Sequence, residues 1–214
     1  RDSHSSFAQN GYLYVIGGYS GSNNQTTVYY APINTNGSVG TWATTSPLPQ
    51  RRGFADIEVA NGYVYWLGGS ENAFNGTTHD DVYYSRINAN GTLGAWVTET
   101  DLVPANLSLH ATAVANGYLY VFGGNTGGGI FPQDGVYYAK LNANGGTGAW
   151  STSVNSLPTA TASIASVVVN GRVYIINGTD GSQLDTVQYA KLGSVLQVGG
   201  SIDLVGIQGG TLGS

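Results

Sequence analysis

The 214-residue chain contains no cysteine and is also poor in charge. Without cysteine there can be no disulfide, no thiol nucleophile and no cysteine-based zinc site. Charged residues make up only 9% of the chain and leave a formal net charge of −5, so we expect no nucleic-acid partner. No apolar run approaches the ~20 residues that a membrane-spanning helix requires, and we therefore expect no membrane insertion.

Apolar and small residues are abundant instead. Hydrophobic residues account for 41% of the chain and include 15 Tyr and 4 Trp, a composition that favours a folded core over disorder. The 33 Gly show no three-residue period, which excludes a collagen-like chain and suits a fold with many tight turns.

One nine-residue segment, first seen at residues 10–18, organises the whole sequence. Related segments begin at Asn61, Asn116 and Asn170, so successive starts are 51, 55 and 54 residues apart. A fixed period near 50 residues predicts a propeller or a solenoid. Both sides of the segment are largely apolar, which is typical of a strand that is covered on both faces.

Three further strands are predicted around this one in each unit. A run of small or β-branched residues precedes it, and the Asn-Gly pair between the two runs indicates a tight hairpin, because both turn residues tolerate positive φ. A third strand, such as residues 82–87, follows a variable loop. A Trp then leads the fourth strand at a constant 12 residues after a Tyr of the third, as from Tyr84 to Trp96. We interpret this constancy as a rigid hairpin in which the Tyr–Trp pair has a repeated packing role.

The sequence therefore predicts an all-β fold of four four-stranded antiparallel blades without helices, at about residues 1–49, 50–103, 104–157 and 158–192. Neighbouring blades must stack, because one such sheet cannot bury both of its faces alone. The fourth unit has Asn177-Gly178 in place of Gly-Gly and lacks the Trp. Residues 194–198 are the candidate for its missing outer strand, residues 201–208 could form another strand, and residues 209–214 have the composition of a linker.

The Gly-Gly doublet, the Tyr after a variable loop and the Trp at a fixed distance resemble kelch repeats, and the resemblance covers residues 1–192. It implies a kelch-type β-propeller similar to those of bacterial secreted or surface proteins. Kelch propellers usually have six or seven blades, so the resemblance implies further blades beyond these four. The chain begins with Arg1 and carries no signal peptide. We interpret it as mature, trimmed or partial, with residues 193–214 leading to another domain or closing the ring.

Function is expected on one face of the propeller. In a four-stranded meander, the loops after the second strand and the connections between blades open on the same face, and the length variation falls there. Variable loops on a rigid scaffold are the usual place for binding, although loops also vary where nothing constrains them. The candidate ligand-binding residues on this face are Tyr19, Asn24, Arg51, Arg52, Glu71, Asn72, Phe74, His79, Asp80, His110, Phe131, Gln133, Asp134 and Asp180.

The aromatic and acidic candidates leave alternatives open. Phe74 and Phe131 could stack on a sugar or anchor a protein partner, or each could fold back onto its own loop. Asp80, Asp134 and Asp185 precede the third strand at one offset, which favours a structural role in which the carboxylates accept backbone N–H groups.

The basic candidates and the metal ligands are equally open. Arg51 and Arg52 could meet a carboxylate, and a solvated pair is the simpler expectation. His4 and His110 fall at equivalent places in their units, which indicates blade geometry rather than chemistry. Oxygen ligands for calcium abound, but no Asp-x-Asp-x-Asp spacing occurs, so we expect no metal and no cofactor.

No catalytic residue is predicted. The chain has no Gly-x-Ser-x-Gly elbow and no sialidase box, and the kelch-like copper radical oxidases need a Tyr–Cys crosslink that it cannot form. The leading hypothesis is a non-enzymatic, secreted or cell-surface module for binding or adhesion, with glycan or protein as partner. The alternatives are a structural spacer or self-assembly module of a surface fibre and, on fold analogy alone, a sugar-active enzyme such as a mutarotase.

Overall fold

The computed structural model describes residues 1–71, 76–176, 178–192 and 205–211. Within these residues the chain forms sixteen β-strands, arranged as four antiparallel sheets of four strands each. The same residues contain no helix, and hence none that is long and apolar enough to cross a membrane. The prediction of an all-β fold of four four-stranded blades is confirmed.

Each blade is a meander of four consecutive strands. Blade 1 consists of β1 (Ser5–Gln9), β2 (Tyr12–Ile16), β3 (Val28–Pro32) and β4 (Ala43–Thr45). Blade 2 consists of β5 (Asp56–Ala60), β6 (Tyr63–Leu67), β7 (Val82–Arg86) and β8 (Val97–Thr98). Blade 3 consists of β9 (Ala111–Ala115), β10 (Tyr118–Phe122), β11 (Val136–Lys140) and β12 (Ser151–Thr152). Blade 4 consists of β13 (Ala165–Val169), β14 (Arg172–Ile176), β15 (Thr186–Lys191) and β16 (Val205–Thr211).

The hairpin between the first two strands of each blade has the predicted turn. Asn10 and Gly11 adopt φ values of 51° and 79°, and the three later Asn-Gly pairs repeat this left-handed conformation. Two successive residues with positive φ match the right-handed twist of the flanking strands, so the turn fixes their register. In blade 1 that register pairs Gln9 with Tyr12 and Ser5 with Ile16.

The core lies between the blades. We call the side of a blade that packs on the next blade its forward face, and the opposite side its rear face. Tyr14, Ile16 and Val28 on the forward face of blade 1 pack with Val64 and Trp66 on the rear face of blade 2. All five side chains are completely buried. Burial of each such side chain contributes about 1.5–3 kcal/mol, so stacking is the main source of stability. Corresponding clusters join blades 2 and 3 and blades 3 and 4.

The Tyr and Trp that recur 12 residues apart do not pack together. Tyr84 joins the core between blades 2 and 3, whereas Trp96 of the same blade joins the core between blades 1 and 2. The Nε1 of Trp96 donates a hydrogen bond of 2.9 Å to the carbonyl of Ser46 in blade 1. The interpretation of a packed pair is therefore wrong, because the two residues serve opposite faces of one sheet.

The first glycine of the Gly-Gly doublet lies against the next blade. A Cβ at Gly17 would lie 2.8 Å from the carbonyl oxygen of Arg52, and one at Gly68 would lie 2.5 Å from that of Leu107. The second glycine binds the same carbonyl, as in the 2.9 Å bond from Gly18 N–H to Arg52. The doublet thus allows consecutive blades to approach within hydrogen-bonding distance.

A run of backbone hydrogen bonds joins the blades at their entry points. Ser3, Phe54, Leu109 and Ser163 occupy equivalent positions with φ between 50° and 57°. Phe54 donates to Ser3 at 3.1 Å, Leu109 to Phe54 at 2.8 Å, and Ser163 to Leu109 at 2.8 Å. We call this run the inner ladder.

The outer strand of blade 4 is β16, which pairs antiparallel with β15 from Thr186 opposite Thr211 to Lys191 opposite Val205. Residues 209–211, which we expected in a linker, belong to this strand. Strand pairing requires backbone N–H and C=O groups rather than side chains, so a glycine-rich segment can supply it. The segment that we predicted as the outer strand, residues 194–198, lies outside the described residues.

Candidate functional site

The two sets of loops share one face of the array, as predicted. The loop after the second strand of each of the first three blades bridges the connection that enters the next blade. Gln25 forms such a bridge with Arg52, and His79 forms one with Leu107. We call this side of the molecule the loop face.

A cleft of about 450 Å³ opens on the loop face at the junction of blades 1 and 2. Its lining residues are Thr26, Pro49, Gln50, Arg51, Arg52 and Glu71. The guanidinium of Arg52 is completely buried beneath it. Its Nη2 donates to Oδ2 of Asp81 at 2.7 Å and to Oε1 of Gln50 at 3.0 Å, and its Nη1 lies 3.6 Å from Oε1 of Glu71.

The burial of Arg52 depends on these acceptors. A buried charge is tolerated where a partner and further hydrogen bonds replace its water. The expectation of a solvated Arg51–Arg52 pair is therefore wrong for Arg52, whereas Arg51 is exposed. The two arginines have different roles: Arg52 fixes the floor of the cleft, and Arg51 faces solvent at its rim.

His79 lies between two carboxylates of this network. Its Nε2 is 3.1 Å from Oε1 of Glu71, and its Nδ1 is 3.6 Å from Oδ2 of Asp81. Burial lowers the pKa of His79, the Arg52 charge lowers it further, and the nearby carboxylates oppose both effects. The imidazole is therefore neutral at neutral pH. The network then carries one guanidinium, that of Arg52, and two carboxylates, those of Glu71 and Asp81.

A second cavity, of about 260 Å³, lies where the inner ladder crosses the loop face. Its lining residues are Ser3, His4, Phe54, Ala55, Asp56, Leu109, His110, Ser163 and Ile164. Within the described residues, neither ring nitrogen of His110 has a hydrogen-bond partner. Burial lowers the pKa of His110 to about 4, against the opposing charge of Asp56, so this ring is neutral. A neutral imidazole offers one donor and one acceptor.

Two acidic side chains on β5 lie near this cavity. Asp56 accepts hydrogen bonds from the N–H of Thr112 at 2.8 Å, the Oγ1 of Thr112 at 2.9 Å and the N–H of Ile57 at 2.9 Å. Glu58 lies further along the same strand, where burial and the Asp56 charge raise its pKa to about 7. Asp56 thus joins blades 2 and 3 as a carboxylate, while Glu58 titrates near neutral pH.

Two of the predicted residues hold blade 1 loops in place. The side chain of Asn24 is buried and donates a 2.6 Å hydrogen bond to the carbonyl of Ser70 in blade 2. The hydroxyl of Tyr19 donates to the carbonyl of Gly21 within its own loop at 2.9 Å. Both contacts fix the shape of the loop face.

The loop of blade 3 presents an exposed aromatic ring. Phe131 is 58% exposed and follows Ile130, which is 49% exposed. The buried amide of Asn125 holds this loop, since its Oδ1 accepts from the N–H of Phe131 at 2.5 Å and its Nδ2 donates to Gly129 at 2.7 Å. Gln133 adds a bond of 2.8 Å to the carbonyl of Phe131. The Phe131 ring also lies against its own loop, since a Cβ added at Gly129 would be 2.8 Å from its Cε2, so the ring combines exposure with a contact inside the loop.

The remaining candidates lie apart from these features. Asp180 is exposed and its Oδ1 accepts from the N–H of Ser182 at 3.0 Å. Asn72 and Phe74 lie outside the described residues.

The aspartates before the third strand act through the main chain. The carbonyl of Asp80 accepts from Val103 at 3.2 Å, and that of Asp134 accepts from Leu157 at 2.8 Å. Thr26 makes the equivalent bond in blade 1 without a carboxylate. In the described part of the chain, the carboxylates of Asp80, Asp134 and Asp185 accept no backbone N–H, so that expectation is wrong.

Sequence reasoning missed Asp56, Glu58 and Asp81. A signal for Asp81 was present, because the residues at its position in the other blades are Thr27, Gly135 and Thr186, none of them charged. An acid unique to one repeat points to a partner specific to that repeat, and Arg52 is that partner. Across the described residues, no group of three or more His, Asp and Glu could hold a metal ion.

Curated proteins with a similar sequence include two Kelch-like proteins. Kelch-like protein terF of Aspergillus terreus is 24% identical over 177 residues, which are 78% of this chain and 37% of that protein. Human Kelch-like protein 33 is 31% identical over 131 residues, which are 59% of this chain and 22% of that protein. The repeats are therefore similar in sequence to those of Kelch-like proteins. No family model matches the chain.

A solved structure has a similar fold. The structure of YjhT matches with a TM-score of 0.69 at 21% sequence identity, over 88% of this chain and 62% of that one. The chain therefore spans less than two thirds of this structure and less than two fifths of the two curated relatives.

Proposed function

We propose that this kelch chain is a non-enzymatic binding module that takes a protein partner on its loop face. The cleft at the junction of blades 1 and 2 carries the proposal, because its charged groups are held in place before any ligand arrives. Arg52 and Asp81 form a fixed 2.7 Å pair below the surface, and Arg51 and Glu71 stand above it. Preorganised polar groups lose little conformational entropy on binding.

The exposed tip of blade 3 supports the same proposal. Binding energy at protein interfaces concentrates in aromatic residues and arginine, surrounded by groups that exclude water. Phe131 supplies an aromatic side chain and Arg51 a guanidinium on the same face. Together with Ile130, they give a protein partner both an apolar anchor and a charged one.

The cleft orients groups rather than transferring protons in this proposal. Arg52 and Asp81 pair with each other, and His79 is neutral between its carboxylates.

We further propose a secreted or cell-surface location on the resemblance to bacterial kelch proteins. Fractionation of the source cells with an antibody against the chain tests that location.

A glycan is the second candidate ligand, favoured by one observation. The Phe131 ring is exposed beside polar groups of its own loop, including the Gln133 amide and the Thr126 hydroxyl, which are 3.2 Å apart. An exposed ring next to hydrogen-bonding groups is the arrangement with which proteins stack on sugars.

Variants on the two faces test the proposal. Proteins that cross-link to the chain in an extract of its source are identified by mass spectrometry. A glycan array is probed with the same chain in parallel. We expect Arg51→Ala and Phe131→Ala to abolish capture of a protein partner. Arg86→Ala, an exposed arginine at the opposite end of β7, serves as the control and should capture normally. Capture that survives both loop-face changes contradicts the proposal, and loss of glycan binding alone supports the second candidate.

A further inference from the structure

An ionic network closes the junction between blades 1 and 2, whereas neutral residues close the two later junctions. Arg52 forms the bridge with the preceding loop at the first junction, and Leu107 and Thr161 form the same bridge at the second and third. Both neutral residues are buried as completely as Arg52. The fold therefore does not require a guanidinium at this place. Because burial of a charge is costly before its partners compensate, a ligand explains Arg52 better than stability does.

The hydrogen bonds of Arg52 are incomplete. Its Nη2 is engaged with Asp81 and Gln50, and its Nη1 donates to the carbonyl of Arg51 at 3.2 Å. Glu71 lies 3.6 Å from Nη1, which is beyond hydrogen-bonding distance. Within the described residues, Nε has no partner either. One N–H of Nη1 is thus left without a hydrogen bond on the side where the Glu71 carboxylate lies.

The Glu71 carboxylate lies between Arg52 and His79 and is firmly bound to neither. Its Oε1 is 3.6 Å from Nη1 of Arg52 and 3.1 Å from Nε2 of His79, and its side chain is 40% exposed. In the part of the chain that the structure describes, Nε2 of His79 has no hydrogen-bond partner. A small movement of Glu71 toward the imidazole would therefore leave Arg52 accessible from the cleft.

We propose that the cleft binds a carboxylate group of an acidic ligand and that His79 takes up one proton as it binds. The ligand carboxylate replaces Glu71 beside Nη1 of Arg52 and meets the exposed guanidinium of Arg51 at the rim. Glu71 pairs with the imidazolium of His79 instead. The proton comes from solvent, and none passes to the ligand. This inference rests on the proposed function, because it names the group that a partner places in the same cleft.

The charges around His79 explain why a proton is needed. The charged groups that face the ring are Arg52 from the entry segment of blade 2 and Glu71, Asp80 and Asp81 from its own loop. The entry segment of blade 3 meets His79 through apolar Leu107. While the ring is neutral, one positive charge faces three negative ones, and a further carboxylate is repelled. A neutral imidazole also has a single N–H for two carboxylates, whereas an imidazolium has one for each.

The sign of the pH dependence follows from the same groups. In the free chain, burial and the Arg52 charge lower the pKa of His79 below 6.5. A bound carboxylate nearby favours the charged ring and raises that pKa. Between the two pKa values, binding takes up a proton, so the affinity for the ligand increases as the pH falls.

Titration of the full chain with short peptides tests the inference. The probe is acetyl-Gly-Glu-Gly-amide, and acetyl-Gly-Gln-Gly-amide is its neutral control. Acetyl-Gly-Gly-Gly with a free carboxyl end shows whether a chain terminus is the better source of the carboxylate. NMR follows the Nε–H of Arg52 and the ring of His79. The acidic probe should bind about tenfold more tightly than the neutral one, and its affinity should increase by at most about tenfold per unit fall in pH from about 7.5 to 5.5.

Matched variants locate the effect. Glu71→Gln removes the resident carboxylate and should tighten binding of the acidic probe about fivefold. Asp134→Asn removes an exposed carboxylate of the same face and should change the affinity less than about twofold. His79→Gln should abolish the pH dependence, whereas His4→Gln, which replaces an exposed histidine of blade 1, should retain it. Circular dichroism checks the fold, and His79→Asn replaces His79→Gln if that variant is unfolded.

Three results would overturn the inference: no binding of the acidic probe, equal binding of the acidic and neutral probes, or a pH dependence that survives the loss of His79. Capture of a protein partner is a separate result. If the acidic probe binds but no partner is captured, the proposed function fails and the carboxylate site stands. If Arg51→Ala abolishes capture while the acidic probe shows no preference, the proposed function stands and the carboxylate site fails.

Discussion

His4 and His110 occupy equivalent positions in blades 1 and 3, yet the first is exposed and the second is buried. Each follows a left-handed residue of the inner ladder, so the local backbone is the same. The difference comes from the neighbouring blade. A Cβ at Gly68 of blade 2 would lie 3.3 Å from Cε1 of His110, whereas no preceding blade in the described structure covers His4. The sequence of a blade determines its shape, and stacking determines the environment of its side chains.

The two internal blades and the two terminal blades differ in this way throughout. Val64 and Trp66 of blade 2 are completely buried, while Leu13 and Val15 at the same positions of blade 1 are only partly buried. A change at an internal junction should therefore have a larger effect than the same change at an open face.

The largest effect is expected where two internal blades come closest. Gly68→Ala would place a Cβ 2.5 Å from the Leu107 carbonyl at a φ of 54°, so we expect it to lower the free energy of unfolding by about 4 kcal/mol. Gly62→Ala is the control, because its φ is also positive but nothing lies within 4 Å. Urea denaturation measures both. Equal losses would show that φ, and not the contact between blades, is the cause.

The buried charge of blade 2 comes next. Asp81→Asn removes the closest carboxylate from a fully buried guanidinium, and breaking a buried pair costs about 3 kcal/mol. Asp80→Asn changes the adjacent residue, whose carbonyl makes the structural bond, and should cost less than about 0.5 kcal/mol. If thermal unfolding shows similar losses for the two variants, the Arg52 network does not stabilise the cleft.

A pair of identical substitutions compares the internal and open faces directly. Val121→Ala in blade 3 opens a cavity in a packed core and should cost about 2 kcal/mol. Val15→Ala at the equivalent, half-buried position of blade 1 should cost less than about 1 kcal/mol in the monomer. Denaturation at low protein concentration tests the difference, and equal costs would mean that the rear face of blade 1 is already covered.

Much of the fold could be predicted because it depends on local chemistry. The Asn-Gly turns require positive φ at both residues, and the alternation of β2 shows which strand is covered on both faces. The Arg52 site could not be predicted in the same way, since Asp81 lies 29 residues away in sequence and the burial of both depends on how blades 1 and 2 stack. The partners of Tyr84 and Trp96 were wrong for a related reason: their spacing is constant, but spacing does not tell which neighbouring blade each one meets.

The smallest effect concerns pH. His110 has a lowered pKa, so the unfolded chain binds its proton more readily and stability rises with pH between about 4 and 6.5. Glu58 has a raised pKa, so the folded chain holds its proton and stability falls as pH rises from 4.5 to about 7. The two effects oppose each other between pH 5 and 6, where each changes stability by about 1.4 kcal/mol per pH unit at most.

Single variants separate these opposing slopes. The pKa of His79 is lowered as well, so both changes are made in a His79→Gln background. There, Glu58→Gln should leave a stability that increases from pH 5 to 6, and His110→Gln should leave one that decreases. Thermal unfolding across this range measures both slopes. Slopes of the same sign in the two variants would contradict the assignment of either group.

The inner ladder also gives the array a polarity. Every N–H along it donates toward blade 1, so in the described structure it ends on an acceptor at the Ser163 carbonyl and begins on a donor at the Ser3 N–H. If two such arrays met through like ends of the ladder, two donors or two acceptors would face each other. A duplicated blade inserted at any junction, in contrast, would donate one hydrogen bond to the blade before it and accept one from the blade after it. Growth of such a protein by whole repeats therefore preserves its hydrogen bonding, whereas growth by part of a repeat does not.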